Sequence, residues 1–156
     1  MKHIISVLVE NKFGVLARIA GLFSARGFNI DSLAVGETED ATISRMTIVV
    51  KGDDKILEQV KKQLNKLIDV IVVRDFVKQE HIDRELLLVK VSVNANNKGE
   101  VIKLLEKSGV TIVKSADDTI TVEAVCDPAQ TKELLGKLEE YGIEEMVRTG
   151  RIAMAL

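Results

Sequence analysis

The feature that most restricts the fold of this chain is an order of strand and helix patterns that occurs twice. The first half reads strand, helix, strand, strand, helix, strand. The predicted strands lie at 2–9, 29–36, 43–51 and 70–77. One predicted helix lies at 14–26, and the second follows a turn and N-cap at 52–54 and carries apolar residues from Ile56 to Leu67. Two such βαββαβ units predict an α+β chain with two tandem ferredoxin-like domains, at 1–78 and 84–156, joined by a polar stretch from Lys78 to Arg84.

The second half repeats the order with clearer helix starts. Asn97 and Glu100 predict a capping box, and Asp127-Pro128-x-Gln130 predicts a second one with proline in the first helical position. A final strand is expected somewhere within 143–155.

Both faces of the first predicted strand are apolar. Ile5, Val7 and Val9 lie on one face, and Ile4 and Leu8 lie on the other. Two helices cover only one face of a sheet, and a large apolar patch rarely stays in water on a monomer. We therefore expect the first domain to pair with a second copy through a two-fold axis.

Composition excludes several classes of function. The chain has 22 Lys and Arg against 24 Asp and Glu, a net charge of −2 that gives no general attraction to nucleic acid. The single Cys126 excludes an internal disulfide and a cysteine-based zinc site, and it fits a reducing cytoplasm. No apolar run is long enough to cross a membrane. Because the first residues already form a strand pattern, we expect no signal or transit peptide.

The sequence offers no candidate for catalysis or metal binding. His3 and His81 have no ligand spacing, and we expect surface or structural roles for both. Gly14, Gly21 and Gly27 do not form a dinucleotide-binding or phosphate-binding motif, and Gly21 is expected at a helix-packing position.

The candidate binding site is the stretch from Val9 to Ile30. Gly14 lets backbone approach a ligand at a helix start, where free N–H groups favour an anion. Asn11 as an ordinary helix cap would explain part of this pattern without any ligand. Asn29, beyond the other end of the helix, is a second short amide. Two amides at opposite ends of one helix, in a domain that pairs, suit one ligand held by two subunits.

These residues closely resemble the start of the small regulatory subunit of acetohydroxy acid synthase, also called acetolactate synthase. The resemblance is dense from Ile4 to Val77 and continues through R-E-L-L-L-V-K-V at Arg84–Val91. It returns at V-R-T-G-R-I-A-M-A-L, Val147–Leu156, while 92–145 match mainly in layout. The first half resembles an ACT domain, a module that senses amino acids. The widespread ACT pattern often has proline where this chain has Phe13, which keeps its backbone N–H.

The resemblance implies a non-catalytic regulatory subunit in the biosynthesis of valine, leucine and isoleucine. The family's partner is a catalytic large subunit that uses thiamine diphosphate, Mg²⁺ and usually FAD to condense two pyruvates, or pyruvate with 2-oxobutyrate. The small subunit raises that activity and confers feedback inhibition by valine. The resemblance therefore implies no cofactor in this chain.

The resemblance also implies that valine binds between two ACT domains of a homodimer. One copy supplies Asn11, Gly14, Val15 and Leu16, and the other supplies Asn29 and Ile30. Valine differs from leucine or isoleucine by a methylene, which is worth roughly 1–3 kcal/mol in a pocket. Either of the larger amino acids therefore remains a possible effector.

Two other classes of function stay open at this point. A free-standing transcription regulator that responds to amino acids would need a DNA-binding element, and the chain has no helix-turn-helix pattern or basic stripe. A small enzyme would need the catalytic residues that the sequence lacks. The fold alone does not separate these classes.

Overall fold

The computed structural model describes residues 2–77 and 79–156, so Met1, in the predicted start, and Lys78, in the predicted joint, lie outside the described residues. The described chain holds nine strands and four helices. They are β1 (Lys2–Glu10), α1 (Val15–Ser24), β2 (Ile30–Glu37), β3 (Ile43–Lys51), α2 (Asp54–Leu64), β4 (Val70–Asp75), β5 (His81–Ser92), α3 (Lys98–Lys107), β6 (Thr111–Ser115), β7 (Thr119–Cys126), α4 (Pro128–Glu139), β8 (Ile143–Arg148) and β9 (Ile152–Ala155). The predicted α+β fold with two tandem ferredoxin-like arrangements is confirmed.

The first sheet is antiparallel in the order β2-β3-β1-β4. The register sets Ile5 opposite Ile48, and Val7 lies between Met46 and Val73. Alternate side chains therefore point to the same face, which packs on α1 and α2. Its buried core consists of Ile5, Val7, Val9, Val15, Ile19, Phe23, Met46, Ile48, Val50, Leu57, Val60 and Leu64.

The second sheet follows the order β6-β7-β5-β8, and β9 pairs with β5 outside that path. Its central strand β5 sets Val89 opposite Val122 and Met146, so one face again packs on two helices. The buried core consists of Leu87, Val89, Val91, Val93, Val101, Leu105, Ile120, Val122, Ala124, Cys126, Leu134 and Leu138.

The contacts divide the chain differently from the prediction at two places. Residues up to Ile82, together with Arg151–Leu156, form one compact unit, and Asp83–Gly150 form the other. In this division the last six residues of the predicted second domain lie with the first unit, and the bounds 1–78 and 84–156 stay a prediction. The predicted polar joint overlaps β5, which already begins at His81.

The physical reason is that β9 returns to the first unit. Ala153 joins Ile4, Val49 and Phe76 in an apolar cluster on the sheet face opposite the helices. The Leu156 N–H donates to the Glu80 carbonyl at 3.2 Å. The chain's own end thus covers part of the face for which the sequence predicted a second copy.

Of the two predicted capping boxes, one is confirmed and one is wrong. The Asp127 carboxylate accepts from the N–H groups of Ala129 and Gln130, and the Asp127 N–H donates to Oε1 of the Gln130 side chain. Asn97 is the residue that precedes α3, but its side chain makes no cap bond and instead accepts from the Asn94 N–H at 2.7 Å. A local turn competes there with the helix start for the same short polar side chain.

The packing of β9 predicts a pair of opposite outcomes on one strand. Ala153→Asp places an unpaired carboxylate against Ile4 and Val49, and we expect it to lower the free energy of unfolding by about 2–4 kcal/mol. Met154→Asp lies on the exposed side of the strand, and we expect a change within about 0.5 kcal/mol. Urea denaturation of both variants measures the difference. Equal effects would contradict the packing of β9 on this face.

Candidate functional site

The turn between β1 and α1 leaves a helix start without a side-chain cap. Gly14 precedes the helix with φ +81°, in the left-handed region, and no side chain caps α1 within the described part of the chain. The Gly14 carbonyl accepts from the Arg18 N–H at 3.0 Å, which starts the helical ladder. Backbone N–H groups in an uncapped first turn, at the positive end of the helix dipole, form a site for an anion.

Asn11 does not cap the helix, so the interpretation of Asn11 as an ordinary helix cap is wrong. Its Nδ2 donates to the Ala41 carbonyl at 2.9 Å and to Glu37 Oε1 at 3.2 Å. Its backbone N–H donates to the Thr42 carbonyl at 2.7 Å. Asn11 therefore ties the turn to the β2–β3 hairpin, and its nitrogen must face Ala41 because a carbonyl only accepts. The amide oxygen is the group that remains for a ligand.

The two residues after Gly14 have different environments. Val15 is buried in the core of the first unit, and its N–H donates to the Lys12 carbonyl at 3.3 Å. Leu16 is 44% exposed and lies on the outside of the same helical turn. Of these two predicted site side chains, only that of Leu16 is accessible to a ligand. The side chain of Val15 packs in the core and anchors the turn.

Asn29 and Ile30 lie at the other end of α1. Asn29 is exposed, and Ile30 is half-buried against the core, opposite Val50 at the end of β3. The Asn11 turn instead meets the start of β3, through Thr42. Ten helical residues span about 15 Å, so one chain does not bring these two groups together.

Arg18 and Asp69 are neighbours of the site that the sequence did not single out. The Arg18 guanidinium binds Asp69 Oδ2 through Nη2 at 2.5 Å, and its Nη1 lies 3.4 Å from the position that a Cβ on Gly14 would take. The Asp69 carbonyl also accepts from the Glu10 N–H at 2.9 Å. Helical spacing from Gly14 could have indicated Arg18. Asp69 is 51 residues away along the chain and carries no local signal.

The described residues do not group potential metal ligands together. They contain no cluster of three or more His, Cys, Asp or Glu side chains that could hold a metal ion. His3 is buried, with its Nε2 3.3 Å from an oxygen of Asp54. Cys126 is buried too, and burial raises the pKa of its thiol, so it lacks the thiolate character of a nucleophile. None of the described helices has the length and apolar character that a membrane span requires.

Fold and site together define a protein of two ferredoxin-like units, the first of which has an uncapped helix start at a left-handed glycine. A family model described as "AHAS small subunit-like ACT domain" matches residues 5–72, and one described as "Small subunit of acetolactate synthase" matches residues 84–156. This chain belongs to the acetolactate synthase small subunit family. That membership supports a regulatory, non-catalytic role.

Relatives and a solved structure agree over nearly the whole chain. A probable acetolactate synthase small subunit from Archaeoglobus fulgidus is 49% identical over 99% of this chain and 96% of its own length. The acetolactate synthase small subunit of Mycolicibacterium smegmatis is 46% identical over 98% of this chain and 90% of its own. A crystal structure of the small subunit from Thermotoga maritima has a TM-score of 0.90 and 36% identity, covering 100% of this chain and 98% of that one.

The backbone at two glycines of this region predicts opposite effects of the same substitution. Gly14→Ala strains a left-handed residue, and we expect it to lower the free energy of unfolding by about 1–2 kcal/mol. Gly21 lies inside α1, and no atom lies within 4 Å of its added Cβ, so it is not the predicted helix-packing contact. Gly21→Ala should raise the free energy of unfolding by about 0.5–1 kcal/mol. Thermal unfolding of both variants measures the two signs, and a stabilising Gly14→Ala would contradict the left-handed turn.

Proposed function

We propose that this chain is the regulatory subunit that binds the catalytic large subunit of acetolactate synthase, raises its activity and makes it sensitive to valine. The observation that carries the proposal is the uncapped start of α1 at the left-handed Gly14, because it offers an amino-acid carboxylate a site in a chain of the small-subunit family. Thiamine diphosphate, Mg²⁺ and FAD belong to the partner in this proposal. The buried free thiol of Cys126 supports a cytoplasmic location.

The carboxylate of valine docks at the first turn of α1 in this proposal. Backbone N–H groups after Gly14 donate to it, and the helix dipole favours its negative charge. The Arg18 guanidinium lies beside Gly14 and adds a positive charge, while Asp69 holds it in place. In this arrangement valine binds without a change in the charge of any side chain of the turn.

The ammonium and the isopropyl group use the remaining groups of the site. The Asn11 oxygen faces away from Ala41, and it accepts from the ammonium together with Asn29 of the other copy. The exposed Leu16 and the half-buried Ile30 supply the apolar wall. Polar and apolar halves of an amino acid are then both matched.

A two-fold pairing through β2 supplies the second half of the site. This strand is at the edge of the sheet order β2-β3-β1-β4, so its outer N–H and C=O groups can pair with another strand. Antiparallel pairing of two copies sets the start of one β2, beside Asn29, next to the end of the other, at Glu37. Glu37 contacts Asn11, so the two predicted groups of site residues meet across the pair. The full exposure of Phe13 and the partial exposure of Val35 support a partner on this side.

Feedback inhibition requires that valine bind two states of the complex with unequal affinity. A site shared between two copies meets this condition, because any change in their relative position changes the fit. Valine affinity then depends on the pairing of the copies, and the pairing depends on valine.

The carboxylate position predicts the effect of a charge at Gly14. Gly14→Asp places a second carboxylate where that of valine docks, and we expect the half-inhibitory valine concentration to rise more than about tenfold, ~1.4 kcal/mol, with activation largely kept. The reconstituted enzyme is assayed at increasing valine concentration.

Gly109→Asp is the matched control. Gly109 also has a left-handed backbone, with φ +69°, and the substitution adds the same charge after α3, in the other unit. If Gly14→Asp leaves the valine sensitivity unchanged, or if Gly109→Asp lowers it equally, the valine carboxylate does not bind at Gly14.

The shared site predicts complementation between two damaged copies. Gly14→Asp and Asn29→Ala each damage both sites of a homodimer. A mixed dimer of the two variants contains one site built from an intact Gly14 and an intact Asn29. Calorimetry of a doubly tagged mixed dimer should therefore recover about half the valine binding of the unmodified dimer.

Each variant homodimer is the control and should bind valine weakly. If both groups of residues came from one chain, the mixed dimer would recover no binding. Titration with leucine and isoleucine in the same experiment determines the order of preference among the three amino acids.

A further inference from the structure

β9 covers one end of the sheet face of the first unit that lies opposite the helices. Ala153 and Ala155 of β9 pack over the end that holds Ile4, Val49 and Phe76. The other end of the same face is formed by Ser6 and Leu8 of β1, Arg45 of β3, and Val72 and Arg74 of β4, and we call these five residues the arginine face. They line a cleft of about 30 Å³.

The two guanidinium groups of the arginine face lie on the two strands that flank β1. Arg45 is opposite Leu8, and Arg74 is opposite Ser6. Arg45 donates from Nη1 to the hydroxyl of Ser6 at 3.2 Å, and Ser6 is only 1% exposed. Among the described residues, neither guanidinium has a carboxylate partner.

Other charges at the ends of these strands are paired. Lys12 binds Glu10 at 2.7 Å, and Asp31 lies 3.3 Å from Lys2 and 3.7 Å from Lys51. On these strands the lack of a carboxylate is thus particular to the arginine face, where two cations flank an apolar strip of Leu8 and Val72.

We propose that the arginine face docks a segment of the catalytic large subunit that carries a carboxylate next to an apolar side chain. This inference rests on the proposed function, since it names the surface through which that partner is bound. Charge complementarity selects the partner's carboxylate, because a charge-assisted bond to arginine is short and frequently bidentate. Leu8 and Val72 supply the apolar contact, and arginine is enriched at protein interfaces.

The size of the cleft favours a protein partner over a free metabolite. Small-molecule pockets enclose roughly 300–1,000 Å³. The cleft of the arginine face, about 30 Å³, is roughly tenfold smaller than the smallest of these. A cleft of this size admits only the end of one side chain. A carboxylate on the surface of a folded partner protein meets this condition.

The charges also disfavour a second copy of this chain as the occupant. A two-fold pairing of this face with itself would bring the Arg45 and Arg74 guanidinium groups of both copies together without a carboxylate. Like charges placed opposite each other destabilise an interface. The proposed pairing through β2 uses the sheet edge, so it leaves the arginine face free for another chain.

The test reverses both charges of the arginine face in the full chain. The double variant Arg45→Glu with Arg74→Glu is titrated with the purified large subunit in calorimetry, and we expect about 100-fold weaker binding or more. Valine binding and the mass of the homodimer should equal those of the unmodified chain, because neither residue belongs to the valine site. The matched control, Lys62→Glu with Lys66→Glu, makes the same charge change at the end of α2 and in the turn after it, and it should bind the large subunit normally.

A milder pair, Arg45→Gln with Arg74→Gln, keeps the test decisive if the reversed variant does not fold. It should bind about tenfold more weakly, with a smaller dependence on salt concentration. Normal binding of the large subunit by the folded variants would overturn the inference and leave the proposed function intact. An equal loss of large-subunit binding in the lysine control, or dissociation of the homodimer in the arginine variants, would overturn it in the same way. If the unmodified chain does not bind the large subunit, the proposed function itself fails.

Discussion

The constraint on which this structure depends is that a sheet has two faces and each βαββαβ unit has helices for only one. In the first unit, β1 shows the consequence directly. Its residues Ile5, Val7 and Val9 complete the core beneath α1 and α2. The alternate residues, which include Ile4 and Ser6, point to the other side and need a different cover. β9 supplies that cover at one end.

The same constraint gives α1 two roles. Its apolar stripe of Val15, Ile19 and Phe23 fills the core, so the helix cannot move far without a large loss of burial. Its two ends are therefore held at a fixed separation, with the left-handed Gly14 at one and Asn29 beyond the other. A ligand as small as an amino acid cannot bridge a helix of ten residues. In our proposal, the same rigidity that stabilises the core makes the effector site depend on a second copy.

Much of the fold could be predicted from the sequence, because its signals are local. Alternation identified the strands, and the Asp127 capping box lies within four residues. What could not be predicted depends on contacts between distant residues. The sequence gives no sign that Asn11 binds Ala41 instead of a helix N–H. It equally hides the return of β9 to Ile4, since a short apolar strand pattern fits either sheet.

Given the two proposals, β1 and β3 connect the effector site to the arginine face over a short distance. Asn11 follows the last residue of β1, and it bonds to the carbonyl groups of Ala41 and Thr42 just before β3 begins. Arg45 lies three residues beyond Thr42 on that strand. A ligand that changes the contacts of Asn11 therefore acts on the same hairpin that positions one of the two docking cations. Coupling of this kind needs no long pathway, only two arrangements of the β2–β3 hairpin that valine and the large subunit bind unequally.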